Sequence, residues 1–262
     1  YNINSIKKNG VQKMSYNNIT YFSNALGKQS NALVYVPDNP DNAPFRVVYQ
    51  LHGYSDDATM WMWRSNISRY AEDRGLMIVC PDGGKGFYTN SYLTDEYYED
   101  HILETVKFID KVFNTSKKRE DRFIGGLSMG GYGAMKIGLK YNDMFSSIAA
   151  HSAVMDIKDF YEMRDRDNDV PGRKRLDSIF GGSPENIKEE DDIFYLAKKY
   201  GNKIRIHFDC GEEDFLFAEN EALHKFMTEN KINHIYETHP GVHCWDYWDA
   251  YVPAALDFHL NV

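Results

Sequence analysis

A serine flanked by two glycines, Gly126-Leu127-Ser128-Met129-Gly130, is the part of this sequence best equipped for chemistry. A serine hydroxyl is a weak nucleophile until its geometry and neighbours activate it, and a strained strand-to-helix turn presents it clear of the backbone. In such a turn the residues two before and two after the serine pass so close to other chain that a Cβ would clash. Glycine stands at both places. A buried strand is expected before the turn, and a helix after it, with Gly133 and Ala134 letting the helix lie close on a sheet under Met135, Ile137 and Leu139. The N-terminus of that helix favours negative charge developing beside Ser128. A glycine-rich turn joining a core strand to a core helix is the plainer reading, but the strand before and the helix after favour a nucleophile for acyl transfer.

A nucleophilic serine needs a base to take its proton and an acid to orient that base. Of nine histidines, His207, His224 and His234 lie inside expected elements, and His259 is at the tail. His101 has no helpful place relative to Ser128, while His151, after the next strand, could line a pocket. His239 and His243 share the loop after the last expected strand, and His243, in Gly241-Val242-His243-Cys244-Trp245, stands at its tip before a helix. His243 is the preferred base and His239 the alternate. For the acid, the loop Cys210-Gly211-Glu212-Glu213-Asp214-Phe215-Leu216 offers Asp214, followed by an apolar pair that can anchor it. Asp209, Glu212 and Glu213 are the alternatives. Two backbone N–H groups would stabilise the oxyanion: Met129, next after the serine, and Tyr54, in the loop after Leu51-His52-Gly53. His52 itself reads as a structural hydrogen-bonder.

These residues need strands that end in loops on one edge. Early antiparallel strands are expected within the first 36 residues, Ala32–Val36 the clearer, and buried strands over 45–51 and 76–80. Further strands are expected over 145–150, 204–209 and 232–237, besides the one preceding Ser128. Helical periodicity covers 59–73, 96–113, 220–230 and 244–260. Strands alternating with helices imply a doubly wound, mostly parallel sheet with helices on both faces. Residues 155–196 are charge-dense and lack a strand pattern, and read as a small cap or lid inserted in a single domain spanning 1–262.

The chain's net charge of -9 argues against nucleic acid or an anionic membrane as partner. Three cysteines, Cys80, Cys210 and Cys244, allow at most one internal disulfide, and no Cys/His cluster has metal-ligand spacing, so neither metal nor cofactor is expected. The first residue is tyrosine, not methionine, which suggests a processed, secreted domain, with a cytoplasmic location as the alternative.

The four blocks Leu51–Tyr54, Gly125–Gly133, Cys210–Leu216 and Gly241–Trp245, in that order, resemble the esterase D-like α/β-hydrolases. That group holds tributyrin esterases, the feruloyl and acetylxylan esterases of carbohydrate esterase family one, S-formylglutathione hydrolases and the antigen 85 mycolyltransferases. The likeness spans about residues 30 to 260, and Trp245 and Trp248 after His243 place it nearest the tributyrin and feruloyl branches. It implies the α/β-hydrolase fold, Ser128, Asp214 and His243 as a triad, and the Tyr54 and Met129 amides as oxyanion hole. Tyr54-Ser55-Asp56-Asp57 stands where S-formylglutathione hydrolases carry a cysteine-bearing segment. A serine carboxylesterase is therefore expected, with Tyr54, Tyr88, Tyr92, Phe215 and Trp245 as an aromatic binding surface. Such a surface suits a hydroxycinnamoyl group, as on feruloylated arabinoxylan of plant cell walls. A short-chain acyl esterase or thioesterase is the same-fold alternative, and a catalytically inert binding module the alternative of another class.

Overall fold

In the computed structural model, which describes residues 15–261, one eight-stranded sheet runs through the molecule. Its strands are β1 (Ser15–Ser23), β2 (Lys28–Val36), β3 (Arg46–Leu51), β4 (Leu76–Pro81), β5 (Arg122–Leu127), β6 (Ser147–His151), β7 (Arg205–Gly211) and β8 (Ile235–His239). They lie in the order β1-β2-β4-β3-β5-β6-β7-β8. β1 and β2 form an antiparallel hairpin that continues antiparallel onto β4, and every pairing from β4 through β8 is parallel. This is the doubly wound, mostly parallel sheet of the α/β-hydrolase fold. The part of the expected early strand pair that falls on residues 1–14 lies outside the described residues.

β3 through β7 are sealed on both faces, which is why they read as apolar runs and not as alternations. Their side chains still alternate. Val47, Tyr49 and Leu51 of β3 enter one core with Met77 and Val79 of β4, whereas Val48 enters the other with Leu76 and Ile78. The first core is roofed by α3 (Tyr98–Val112), α4 (Met129–Lys140), α7 (Ile193–Tyr200) and α8 (Phe217–Glu229). The second is roofed by α1 (Met60–Arg64), α2 (Ile67–Glu72) and α9 (Trp245–Leu260).

The single helix expected over 59–73 is in fact two, α1 and α2, broken at Ser65-Asn66. The Asn66 backbone N–H and side-chain amide both donate to the Asp249 carboxylate of α9, at 2.7 Å each, and this contact holds the break. The charge-dense stretch contributes α5 (Ile157–Arg166), α6 (Val170–Phe180) and α7, with no strand among them. Aspartates start all three: Asp156, Asp169 and Asp192 each accept from backbone N–H groups of the helix they cap. Because β3, β5, β7 and β8 are parallel, their carboxyl ends share one edge, where ligands bind in sheets of this kind. The loops 52–56, 212–216 and 240–244 and the turn at Ser128 all gather there.

Candidate active site

Ser128 occupies the sharp turn between β5 and α4 with φ 54° and ψ -120°, a conformation that side chains other than glycine rarely adopt. The turn is held by Ser128 N–H donating to His151 O at 2.9 Å and by Tyr132 N–H donating to Ser128 O at 3.0 Å. The flanking glycines are there for space. A Cβ on Gly126 would stand 2.4 Å from Gly130 O, and one on Gly130 would stand 2.3 Å from Leu51 O. Both obstacles are backbone and cannot move aside.

His243 reaches the serine from the loop between β8 and α9. Its Nε2 lies 3.0 Å from Ser128 Oγ, and its Nδ1 lies 2.8 and 3.0 Å from the two Asp214 carboxylate oxygens. Carboxylate oxygens only accept, so Nδ1 carries the proton, Nε2 presents a lone pair and the serine hydroxyl donates to it. Phe215 and Trp248 pack against the imidazole with ring centroids 4.6 and 5.0 Å away and fix its plane. The Asp214 side chain is fully buried. Leu216 N–H donates to its Oδ1 at 2.9 Å, which fixes the plane of the carboxylate.

The acid and base loops are locked to each other. Glu212 N–H donates to His239 O at 2.9 Å, Glu213 N–H to Gly241 O at 3.0 Å, and Gly241 N–H to the Glu213 carboxylate at 2.6 Å. The alternative residues are therefore occupied elsewhere. His239 stacks on Tyr251 at 3.9 Å, Glu212 and Glu213 are exposed, and Asp209 takes the His151 Nδ1–H at 2.6 Å inside the sheet. His151 is fully buried in that pair and does not line the cavity. His52 donates from Nδ1 to Gly53 O and accepts Gly83 N–H at Nε2, both at 2.8 Å, which shapes the loop that carries Tyr54.

Neither the Tyr54 nor the Met129 N–H has an intramolecular acceptor among the described residues. Met129 is the first residue of α4, where helix N–H groups lack partners and the dipole is positive.

A cavity of about 380 Å³ opens over Ser128 and His243. Tyr54, Phe215 and Trp245 line it, as the sequence suggests. Tyr88 and Tyr92 do not, and this corrects the expected aromatic surface. The Tyr88 ring is fully buried against α4, where a Cβ on Gly133 would come within 2.5 Å of it, and its hydroxyl donates to His52 O at 3.0 Å. Gly133 thus makes room for a tyrosine and not for the sheet; Gly138 does the latter, facing Ile148 and Ile124. Tyr92 points away to the Asp191 carboxylate, under the Lys188 ammonium.

Phe87 and Phe160 take the vacated roles, joined by Val154, Arg64, Arg164 and Trp248. Phe87 and Tyr88 both have positive φ, 49° and 48°, and this tight turn aims the first ring at the cavity and the second behind it. The signal for Phe160 was present in the spacing Ile157, Phe160, Tyr161, one apolar stripe of α5. Cys244 lines the cavity too, and all three cysteines are free thiols.

Residues 23–259 match a protein family described as "Putative esterase". An acetyl esterase of Caldicellulosiruptor saccharolyticus is 32% identical over 264 residues, covering 95% of this chain and 99% of that protein. Among solved structures, the substrate-bound fluorophosphonate-binding serine hydrolase FphF of Staphylococcus aureus superposes with a TM-score of 0.85 at 29% identity, covering 95% of this chain and 99% of that one. The S-formylglutathione hydrolase FrmB of the same organism gives 0.82 at 28%, covering 95% and 100%.

Proposed function

The chain belongs to the putative esterase family, the esterase D-like group of serine esterases, and on that premise we propose that it hydrolyses short-chain acyl esters through an acyl-enzyme on Ser128. The observation that carries the mechanism is the continuous relay from Ser128 Oγ through His243 to Asp214, with every link between 2.8 and 3.0 Å. Ser128 Oγ attacks the ester carbonyl as its proton passes to His243 Nε2, and the Tyr54 and Met129 N–H groups receive the oxyanion. The tetrahedral intermediate collapses when His243 returns the proton to the departing alcohol, leaving the acyl group on Ser128. Water, deprotonated by His243, then attacks the acyl-enzyme, and the acid is released. Asp214 stays ionised throughout, holding the imidazole in one tautomer and stabilising its charged form.

A short acyl group is favoured by the acetyl esterase relative, 32% identical over 95% of this chain. A second reading, a hydroxycinnamoyl esterase acting outside the cell on feruloylated arabinoxylan, is supported by the aromatic lining from Tyr54, Phe87, Phe215 and Trp245. The test is kcat/KM on acetyl, butyryl and methyl ferulate esters, with Ser128→Ala as control. Short esters are expected to lead, and the variant to lose all of them. A preference for methyl ferulate of tenfold or more would overturn the short-acyl reading in favour of the second.

A further inference from the structure

His243 and Ser128 lie side by side in the lining of the main cavity. A leaving group takes its proton from Nε2 and so departs along the wall of Phe215, Trp245 and Trp248. The acyl substituent on the same tetrahedral carbon is left with the rest of the lining, which includes Phe87, Val154, Phe160 and Arg164. Adjoining these residues is a second, small cavity of about 20 Å³, the room of one water. It shares Tyr54, Phe87, Phe160 and Arg164 with the main cavity and is otherwise lined by Asp169 and by Gly172 and Leu176 of α6.

The Phe160 ring lines both spaces, with Tyr54, Phe87 and Arg164, and it is wedged in place. It packs on Phe87 at 5.6 Å between centroids and carries the Arg164 guanidinium 4.2 Å from its own centroid. Arg164 is in turn bonded to Asp169, the residue that caps α6, at 3.2 Å. The segment that supplies the ring is also tied down. Glu219 of α8 accepts the Met155 and Asp156 N–H groups at 2.6 and 2.7 Å, at the root of α5.

Resting on the esterase reading above, we propose that Phe160 sets the upper limit of acyl length. An acyl chain entering past Ser128 meets the ring edge and stops, and the space beyond is closed to it. The stretch between β6 and β7 therefore acts as a fixed back wall of the acyl site, and its contribution to the reaction is selectivity.

The test compares kcat/KM for p-nitrophenyl acetate, butyrate, hexanoate and octanoate in wild type, Phe160→Ala and Phe160→Leu. Each methylene that gains a buried apolar site is worth about fourfold. Removing the ring joins the two spaces and admits about two more methylenes, so the octanoate-to-acetate ratio is expected to rise about 16-fold in Phe160→Ala and about fourfold in Phe160→Leu. The ratio is internal to each variant, so a reduced folded fraction cancels, and Phe160→Leu decides the matter where the alanine variant does not fold. An unchanged ratio, with acetate still hydrolysed, overturns the assignment, as does a wild type that already prefers octanoate. A wild type that hydrolyses none of the four esters would count against the esterase reading instead.

Discussion

Replacing Asp214 by asparagine isolates the step that depends on the tautomer of His243. In the native site Leu216 N–H donates to Asp214 Oδ1, and His243 Nδ1–H donates to both carboxylate oxygens. An asparagine has one acceptor oxygen, and Leu216 claims it. The amide NH₂ then stands where Oδ2 stood, 2.8 Å from His243 Nδ1, so two donors would face each other. The imidazole escapes by moving its proton to Nε2. That nitrogen now presents N–H to Ser128 Oγ and cannot accept the hydroxyl proton. The shape of the site is kept and the base is lost. The expected fall in kcat is on the order of 10⁴, which at 1.36 kcal/mol per decade raises the barrier by about 5 kcal/mol. Stopped-flow hydrolysis of p-nitrophenyl acetate reads it, with a thermal melt to establish that the variant is folded. A folded Asp214→Asn protein retaining more than a tenth of wild-type kcat would refute the tautomer argument and the role of Asp214 with it.

Lys136→Met should cost about 3–5 kcal/mol, because the fully buried ammonium bridges Glu99 at 2.8 Å and Asp191 at 2.6 Å, and its removal leaves buried Asp191 without its cation and Glu99 with Lys140 alone. A fall in Tm on the order of 10 °C is expected by calorimetry, and a fall of under 2 °C would show that the charges are not buried as described. Burial alone would raise the pKa of Glu99, but the Lys136 and Lys140 ammoniums outweigh it and hold the group at about 2. Its contribution is thus present above the ordinary carboxylate range and disappears as pH falls from there toward 2. Glu219 has the opposite sign: burial pushes it up to about 8, against the pull of the Asp156 and Met155 N–H groups. The folded protein keeps that proton where the unfolded chain has released it, so stability should decline from about pH 4.5 to 8 more steeply in wild type than in Glu219→Gln. Parallel Tm-versus-pH curves for the two proteins would count against it.

Much of the site was legible because its requirements are steric. Nothing larger than glycine fits at 126 or 130, and the backbone atoms that forbid it lie within 2.4 Å of where a Cβ would sit. Asp214 and His243 could be read because each lies in a loop following a strand, and the sheet's parallel order brings those loops together. What could not be read depended on side-chain direction or on distant partners. Two adjacent positive φ angles decide that Phe87 and not Tyr88 faces the cavity, and spacing carries no sign of them. The break between α1 and α2 rests on Asn66 meeting Asp249, 183 residues later. Lys136 lies among apolar residues of α4 and would pass for a solvated edge, yet it is sealed between two acids from α3 and the 189–191 turn. Phe160 was hidden for a related reason. The charges surrounding it in sequence made the whole segment read as a cap or lid, with no single ring marked out in it.

The central claim is that Ser128 is an activated nucleophile, and labelling with a fluorophosphonate tests it most directly. The native protein should gain one phosphonyl group, located by peptide mass mapping on Ser128, and Ser128→Ala should gain none. A folded native protein that stays unlabelled, or a label that persists in Ser128→Ala, would contradict the account.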